Sequence, residues 1–181
     1  MTITRLNCAE TVWGTPPHVV EAVRKYFGGT IPLDPCTEPD NPTEAAKFFT
    51  KEDDGLVEEW LDSCFVNPPY GKELRQWVQK IAFEAATGTE ILFLCSISSR
   101  FETAYWHQSI LTRHQNAEVI FNKRVQFYRP VEVEDGPREW KATKRNAFAS
   151  IMLGFNVDVL RFVDAFQSLG CVRLTQNFVV Q

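Results

Sequence analysis

Cys64-Phe65-Val66-Asn67-Pro68-Pro69-Tyr70-Gly71 is the most informative segment of the chain for its architecture. Its three leading apolar residues predict a brief strand, which ends at Asn67 because the two prolines that follow fix φ and remove backbone donors. Directly afterwards, Glu73–Ala86 carries apolar residues at helical spacing, namely Leu74, Trp77, Val78, Ile81, Ala82 and Ala85. A strand, a tight turn and a helix are therefore predicted in immediate succession.

The segments on either side continue this alternation. A helix is predicted after Thr15, which is placed to cap it, with Pro16 and Pro17 in its first turn and Gly28-Gly29 at its end. The other predicted elements are strands at Ile31–Asp34, Ile91–Cys95, Ala117–Phe121, Val125–Tyr128, Ala147–Leu153 and Val172–Val180, a turn or short helix at Leu56–Trp60, and helices at Glu102–Leu111 and Val157–Leu169. This order predicts an α/β fold with a mostly parallel central sheet flanked by helices.

Composition limits the class of protein. The chain has 181 residues, of which 44% are hydrophobic and 23% charged, so we expect one globular domain over residues 1–181. No apolar run is long enough to cross a membrane, and the first residues do not resemble a signal peptide, which favours the cytoplasm. The five cysteines are spread along the chain without a Cys-x-x-Cys pair, so we expect neither disulfides nor a metal site.

The distribution of charge indicates where a polyanion would bind. The net charge of −4 speaks mildly against such a partner, but basic residues gather at Lys123-Arg124 and at Lys144-Arg145. Together with Arg100, these are the candidate phosphate contacts. Residues 123–145 are interpreted as an inserted target-recognition loop or hairpin. The alternatives are a solvated charged face and an ordinary packed hairpin.

The residue types of Asn67-Pro68-Pro69-Tyr70 suit transfer of a methyl group to an aromatic amine. The lone pair of such a nitrogen is delocalised into the ring, so two acceptors aimed at its N–H bonds favour attack and stabilise the charge that develops. The Asn67 side-chain oxygen and the Pro68 carbonyl are these acceptors. Pro69 keeps the turn rigid, and Tyr70 offers a ring face for stacking. A plain strand-terminating turn is the alternative.

A second candidate site residue falls at the end of another predicted strand. Asp34 ends Ile31–Asp34 as Asn67 ends Cys64–Val66. Ligands of open α/β sheets bind beyond the carboxyl ends of strands, so we expect both residues on the same rim. Asp34 could instead cap a turn.

Beyond these local patterns, the chain resembles the phage and prophage DNA N-6-adenine methyltransferases, a Dam-like family. The matching residues run through nearly the whole chain: Trp13-Gly14-Thr15-Pro16, Leu33-Asp34-Pro35-Cys36, Asn41, Phe48-Phe49-Thr50, Asp54-Gly55-Leu56, Trp60, Phe65–Gly71, Trp77 and Asn146–Ser150. The resemblance implies a Rossmann-like methyltransferase fold, S-adenosylmethionine as methyl donor, and adenine in DNA as acceptor. It also implies a phage or prophage origin, in a bacterial host cytoplasm. An adenine in duplex DNA has to be flipped out to reach such a site.

The same resemblance assigns a cofactor site. It implies cofactor contacts from Trp13, Thr15, Pro16, Asp34, Pro35, Cys36 and Asp54. One departure is the absence of a G-x-G after the first strand, so the methionine end of the cofactor has to be held around Pro35–Thr37. Trp13 could instead pack on the first helix, and Asp53 and Asp54 could merely cap the turn that follows them.

Two other functions remain open from the sequence. The Asn-Pro-Pro-Tyr motif also suits methyltransferases that act on RNA adenine or on protein glutamine, because a planar amide poses the same chemical problem as adenine. A catalytically degenerate chain that only binds nucleic acid, as a decoy, is the other alternative.

Overall fold

The structure is a computed structural model that describes residues 13–97, 104–109, 114–131 and 138–175. Its helices are α1 (Pro17–Tyr26), α2 (Leu74–Ala86), α3 (Ala104–Ser109) and α4 (Val159–Phe166). Its strands are β1 (Leu33–Asp34), β2 (Lys47–Phe48), β3 (Ser63–Val66), β4 (Glu90–Ser96), β5 (Gln115–Phe121), β6 (Val125–Val131), β7 (Glu139–Phe148), β8 (Ser150–Phe155) and β9 (Gly170–Leu174). The prediction of an α/β fold is confirmed.

The central sheet is mixed rather than mostly parallel. Its strand order is β3-β4-β8-β5-β9, and only β3 and β4 pair parallel, while the other three neighbouring pairs are antiparallel. The expected parallel sheet needs a helical crossover between successive strands. Such a crossover exists in β3-α2-β4, but β6 and β7 stand between β5 and β8, so β8 enters the sheet in the opposite direction.

Three strands nevertheless point the same way. Because β4 and β5 are both antiparallel to β8, β5 runs in the direction of β4 and of its parallel neighbour β3. Their carboxyl ends therefore share one edge of the sheet, referred to below as the carboxyl edge. Asn67 follows β3 there, Ile97 follows β4, and Asn122–Arg124 follow β5.

Helices cover both faces of the sheet. Alternate residues of β4 separate the two cores: Leu92 and Leu94 pack with α1 and α4, whereas Ile91 and Phe93 pack with α2 and α3. All four side chains are fully buried. The continuous apolar run of this segment, expected for a strand covered on both sides, is thereby explained.

Two small sheets lie outside the central one. β1 and β2 form a short parallel pair, and β1 packs beside β3. β6 and β7 form an antiparallel hairpin, whose base is the pairing of Val125 with Phe148. Since Val125 follows β5 and Phe148 precedes β8, the hairpin leaves the body at the carboxyl edge.

The helix boundaries differ from prediction at one informative point. Helix α1 begins after Pro16 with no side-chain cap, so the prediction that Thr15 caps it is wrong. Its end at Gly28 and Gly29 is as predicted, since both adopt positive φ (77° and 118°), which a side chain disfavours. Within the described ranges no helix is long and apolar enough to span a membrane.

Candidate active site

The Asn67 side-chain amide is held by three hydrogen bonds, two that it donates and one that it accepts. The Nδ2 group donates to the Trp13 carbonyl oxygen at 2.9 Å and to Thr15 Oγ1 at 3.1 Å. On the other side, Oδ1 accepts from the Tyr70 hydroxyl at 2.9 Å. The Asn67 side chain is half-buried, and the neighbouring Pro68 is buried. The amide therefore has one fixed orientation at the carboxyl end of β3.

Tyr70 lies against the Asn67 amide and the core beneath it. Its hydroxyl is also 3.4 Å from the Leu94 carbonyl oxygen, and its ring meets Phe127 edge to face, with centroids 5.9 Å apart. Phe127 comes from β6 and is fully buried, so it is a packed core residue rather than an exposed stacking surface. The aromatic ring of the motif is thus anchored at both ends.

Asp34 is buried at the end of β1 and organises the loop that follows it. Its carboxylate accepts from the Thr43 hydroxyl at 2.8 Å and from the Cys36 backbone N–H at 3.2 Å. Burial raises the pKa of Asp34 to about 6, although these hydrogen bonds and one from Thr37 act to lower it. The turn-capping interpretation of Asp34 thus accounts for its contacts, and Thr43, which the sequence did not single out, is its buried partner.

The loop after Asp34 reaches the Asn67 turn through Cys36. The backbone N–H of Asn67 donates to the Cys36 sulfur. Burial raises the pKa of this thiol well above its ordinary value, and the charge of Asp34 raises it further. The structure therefore brings the ends of β1 and β3 together on one rim, with an unreactive thiol between them.

A third segment, around Gly55, packs on the same loop. A Cβ at Gly55 would lie 1.9 Å from the Pro35 carbonyl oxygen, so only glycine permits this approach. The neighbouring Asp54 is exposed, and its Oδ1 accepts from the Leu56 N–H at 3.2 Å. Asp53 is also exposed and accepts from both the backbone N–H and the hydroxyl of Thr50 at 2.8 Å. Both acids make turn contacts beside the loop.

The segment Trp13–Pro16 lies between Asn67 and the β6–β7 hairpin. Gly14 pairs with Tyr128 through two backbone hydrogen bonds of 2.9 Å. The Trp13 ring meets Phe127 edge to face, and the Arg129 guanidinium sits 4.3 Å over it. The Trp13 ring therefore packs between Phe127 and Arg129 of the hairpin, while its backbone carbonyl oxygen accepts from Asn67.

Two long-range contacts fasten the hairpin to the loop after Asp34. Arg138 forms an ion pair with Glu38 at 2.8 Å, and Trp140 Nε1 donates to Asp40 at 2.7 Å. Sequence reasoning missed both, because the partners are separated by 100 residues and no local pattern joins them. We call these two contacts the hairpin latch.

The predicted phosphate contacts are only partly described. Lys123 and Arg124 are exposed at the carboxyl edge, where β5 gives way to β6. Arg100 lies outside the described residues. Lys144 and Arg145 belong to β7 by their backbone, but their side chains lie outside the described part of the structure.

Two cavities lie in the described part of the structure near the strand that precedes Asn67 or near the Asn67 anchors, and Asn67 itself lines neither. One of about 330 Å³ borders Gly14, Thr15, Tyr128 and Trp140, on the hairpin side of the Asn67 anchors. Another of about 560 Å³ is lined by residues such as Lys47, Trp60 and Ser63, at the amino end of β3. The first adjoins the candidate site, whereas the second lies at the opposite end of the strand. Among the described residues, no group of three or more His, Cys, Asp or Glu side chains is arranged to hold a metal ion.

Comparison with known proteins gives the family of the chain. A family model described as DNA N-6-adenine-methyltransferase (Dam) matches residues 4–162, which includes every candidate site residue named above. No curated protein matches the chain. The family match agrees with the resemblance carried by the sequence motifs, and with the way the structure gathers those motifs at one rim. The chain belongs to the DNA N-6-adenine-methyltransferase (Dam) family, whose members are enzymes that methylate the N6 amino group of adenine in DNA.

Proposed function

We propose that this DNA adenine methyltransferase uses S-adenosylmethionine as its methyl donor and grips the target amine with Asn67 and Pro68. The observation that carries the proposal is the fixed Asn67 amide, whose nitrogen is held by Trp13 and Thr15 and whose oxygen is directed away from them. An acceptor that is oriented before the substrate arrives costs no reorganisation during the reaction.

The acceptor pair works on the amine in two ways. The Asn67 Oδ1 and the Pro68 carbonyl oxygen accept hydrogen bonds from the two N–H groups of the target amine. These bonds favour a more tetrahedral amine nitrogen and offset the positive charge that develops on that nitrogen during methyl transfer. An amide oxygen has two lone pairs, so the bond from Tyr70 leaves one for the target. Pro69 removes a backbone degree of freedom and keeps the two oxygens in register.

Tyr70 completes the target site in this proposal by stacking on the adenine. Its ring is fixed by the hydroxyl bond to Asn67 and by the edge contact with Phe127. A fixed aromatic platform stabilises an unstacked base by about 1–3 kcal/mol. The base reaches it by flipping out of the duplex.

The cofactor residues are those implied by the family resemblance: Trp13, Thr15, Pro16, Asp34, Pro35, Cys36 and Asp54. The close approach of Gly55 to Pro35 fits this, because it places the residue next to Asp54 against the loop that also contacts Asn67. Asp34 acts by shaping that loop, since its carboxylate is already engaged by Thr43 and Cys36. When bound, the cofactor supplies a methyl group already activated as a sulfonium. In-line placement of the amine then becomes the main task of the protein.

Recognition of DNA is assigned to residues 123–145 and to Arg100. The hairpin leaves the carboxyl edge beside Asn67, and the exposed Lys123 and Arg124 stand at its root. Lys144 and Arg145 are placed in the same segment by the sequence. Cations that neutralise phosphates position the duplex, while the hairpin reads the bases.

The finer fold assignment is a Rossmann-like methyltransferase sheet forming one domain over residues 1–181. Support comes from the common direction of β3, β4 and β5, from helices on both faces of β4, and from the position of the site at the carboxyl edge. In this assignment β8 is an antiparallel strand inserted between the parallel strands β4 and β5, and β9 is a second antiparallel strand at the edge of the sheet.

The experiment that tests the proposed function is methyl transfer from labelled S-adenosylmethionine. DNA, RNA and protein from a host lacking adenine methylation are offered separately, and the modified product is identified by mass spectrometry. We expect label in DNA, as N6-methyladenine. Label confined to RNA or to protein glutamine would reject the DNA substrate. Absence of both transfer and thermal stabilisation by the cofactor would indicate a degenerate binding module.

A further inference from the structure

Arg129 is an exposed cation of the β6–β7 hairpin that an aromatic ring holds in place. Its guanidinium sits 4.3 Å over the Trp13 indole, and Phe127 meets the same indole edge to face. A cation over an indole is attracted by the negative face of the ring. The indole offers no oxygen acceptor, so this contact leaves the N–H donors of the guanidinium available to an anion.

The charge of Arg129 has no counterpart in the hairpin. Arg138 of the same hairpin pairs with Glu38 at 2.8 Å. Lys141 pairs with Glu139, also at 2.8 Å. Arg129 itself forms no ion pair with any residue that the structure describes. Its direct neighbour across the two strands is Lys141, and like charges in that position destabilise a hairpin. An anion bound at Arg129 would offset this repulsion.

Trp13 joins this cation to the proposed target site. Its ring lies under Arg129, while its backbone carbonyl oxygen accepts from the Asn67 amide at 2.9 Å. Gly14, the next residue, pairs with Tyr128, which precedes Arg129, through two backbone hydrogen bonds of 2.9 Å. The backbones that carry the two partners are therefore fixed relative to each other. A single residue separates the guanidinium from the amide that grips the target amine.

A flipped nucleotide brings an anion to this place. When the base leaves the duplex for the Asn67 site, the phosphates on either side of its sugar remain joined to it and lie beside that site. Arginine suits a phosphate because its planar fork of N–H donors can bind two oxygens at once. A side chain already ordered by an aromatic contact loses less freedom on binding.

We propose that Arg129 binds a phosphate that flanks the flipped adenosine, and so holds the extruded nucleotide while Asn67 grips its amine. This rests on the proposed function of Asn67. It adds Arg129 to the phosphate contacts proposed above and assigns it to one particular nucleotide, the one that is methylated.

Three variants test the charge. Arg129→Ala and Arg129→Gln remove it, whereas Arg129→Lys keeps it. The matched control is Arg161→Ala, because Arg161 is also exposed and lies 5.3 Å over an aromatic ring, that of Tyr26. Arg161 pairs with Glu90 at the start of β4, at the opposite end of that strand from the carboxyl edge.

The first measurement is duplex binding by fluorescence anisotropy at several salt concentrations. Saturating S-adenosylhomocysteine is present, so that no methyl transfer occurs and differences in cofactor affinity do not contribute. We expect both charge-free variants to bind about ten- to a hundredfold more weakly, the effect of one lost charged hydrogen-bonding contact. Their slope of log affinity against log salt should be smaller by about 0.9. Arg129→Lys and Arg161→Ala should keep the slope of the unaltered protein.

The second measurement locates the contact on the DNA. Each phosphate beside the methylated adenine, once that adenine has been mapped with the unaltered protein, is replaced in turn by an uncharged methylphosphonate. We expect one of the two replacements to weaken binding by the unaltered protein about as much as Arg129→Ala does. The same replacement should weaken Arg129→Ala little further, because both changes remove one contact. A methylphosphonate far from the adenine should affect both proteins equally.

Four outcomes would overturn the proposal. Equal slopes in Arg129→Ala and Arg161→Ala would make the effect one of net charge. Equal methylphosphonate losses in the unaltered protein and in Arg129→Ala would place the contact elsewhere. A loss that follows a neighbouring base pair would make Arg129 a base-reading residue. Weaker S-adenosylmethionine binding by calorimetry, with an unchanged salt slope, would make it a cofactor contact. If the unaltered protein methylates no DNA, the proposed function itself fails, which is a different result from any of these.

Discussion

The indole ring of Trp140 lies directly on the backbone of Gly14, where a Cβ would come within 2.5 Å of two of its ring carbons. This contact joins the β6–β7 hairpin to the segment that anchors Asn67. It stands beside the hairpin latch formed by Arg138–Glu38 and Trp140–Asp40. The β6–β7 hairpin therefore contacts the segment that anchors Asn67 through Gly14, in addition to the contacts that Phe127 makes with Trp13 and Tyr70.

Gly14→Ala should displace Trp140 and cost about 1–3 kcal/mol of unfolding free energy, as overpacking does. The measurement is urea denaturation followed by tryptophan fluorescence. In a Trp140→Ala background the same substitution should cost much less, because the ring it collides with is gone. Gly71→Ala is the control, since a Cβ there meets nothing within 4 Å. Equal costs of Gly14→Ala in both backgrounds would contradict the contact.

Gly55→Ala should be more damaging, because its Cβ would lie 1.9 Å from the Pro35 carbonyl oxygen, a backbone atom that cannot rotate away. We expect a loss of about 3 kcal/mol or more, at the upper end of overpacking costs. In protein that still folds, S-adenosylmethionine affinity measured by calorimetry should fall, because the segment that carries Asp54 is displaced from the loop. Normal cofactor affinity in this variant would remove this segment from the proposed cofactor site.

Asn67→Ala should lower kcat by about 100-fold or more, the usual consequence of losing one preorganised hydrogen-bonding group. Cofactor affinity should change little, since the backbone N–H that reaches Cys36 remains. Tyr70→Phe keeps the stacking ring and should retain most activity, whereas Tyr70→Ala should not. Rates come from single-turnover methyl transfer to DNA. A normal rate for Asn67→Ala would refute the acceptor mechanism.

Asp34 should make stability depend on pH in the acidic range. Burial raises its pKa from 3.8 to about 6, so between these values the folded protein binds a proton that the unfolded chain has released. Stability due to this group is therefore present below the lower value and lost as pH rises through the upper one. The difference in unfolding free energy between the unaltered protein and Asp34→Asn should fall from about pH 4 to about pH 7. A constant difference, measured by urea denaturation across this range, would contradict the buried carboxyl.

Replacing Lys123 and Arg124 by alanine should weaken DNA binding and flatten its dependence on salt. Each lost phosphate contact removes about 0.9 from the slope of log affinity against log salt. The matched control is Lys25→Ala with Arg161→Ala, which removes the same charge from residues paired with Asp164 and with Glu90, the first residue of β4. If both pairs of substitutions change the slope equally, the effect is one of net charge and not of a local phosphate contact.

The sequence predicted those features that depend on local pattern. Helix α2 and strand β4 follow from spacing and from a continuous apolar run, and the turn at Asn67 follows from its prolines. The placement of Asp34 and Asn67 on one rim was predicted from the rule that ligands of open α/β sheets bind beyond the carboxyl ends of strands. By contrast, the antiparallel direction of β8 depends on its pairing with β4 and β5, and no local sequence pattern predicts which strands will pair.

The part of the site that sequence reasoning missed consists of contacts between distant segments. Thr43 is an unremarkable threonine in the sequence, yet it is the buried partner of Asp34. Thr15 sits where a helix cap is expected, and local rules assign it that role. Only the folded chain brings it to Asn67, 52 residues away, and so reassigns its hydroxyl.

The base of the β6–β7 hairpin has a practical consequence. The chain enters at Val125 and returns at Phe148 directly opposite, and the next contacts that tie it to the body are those of Phe127 and Tyr128. Beyond the rung that joins Arg129 to Lys141, the hairpin is tied to the body again, because Arg138 pairs with Glu38 and Trp140 contacts both Asp40 and Gly14. A hairpin transplanted from a relative would therefore have to keep Arg138 and Trp140 as well as Phe127 and Tyr128, because these four residues hold the loop after Asp34 and the segment that anchors Asn67.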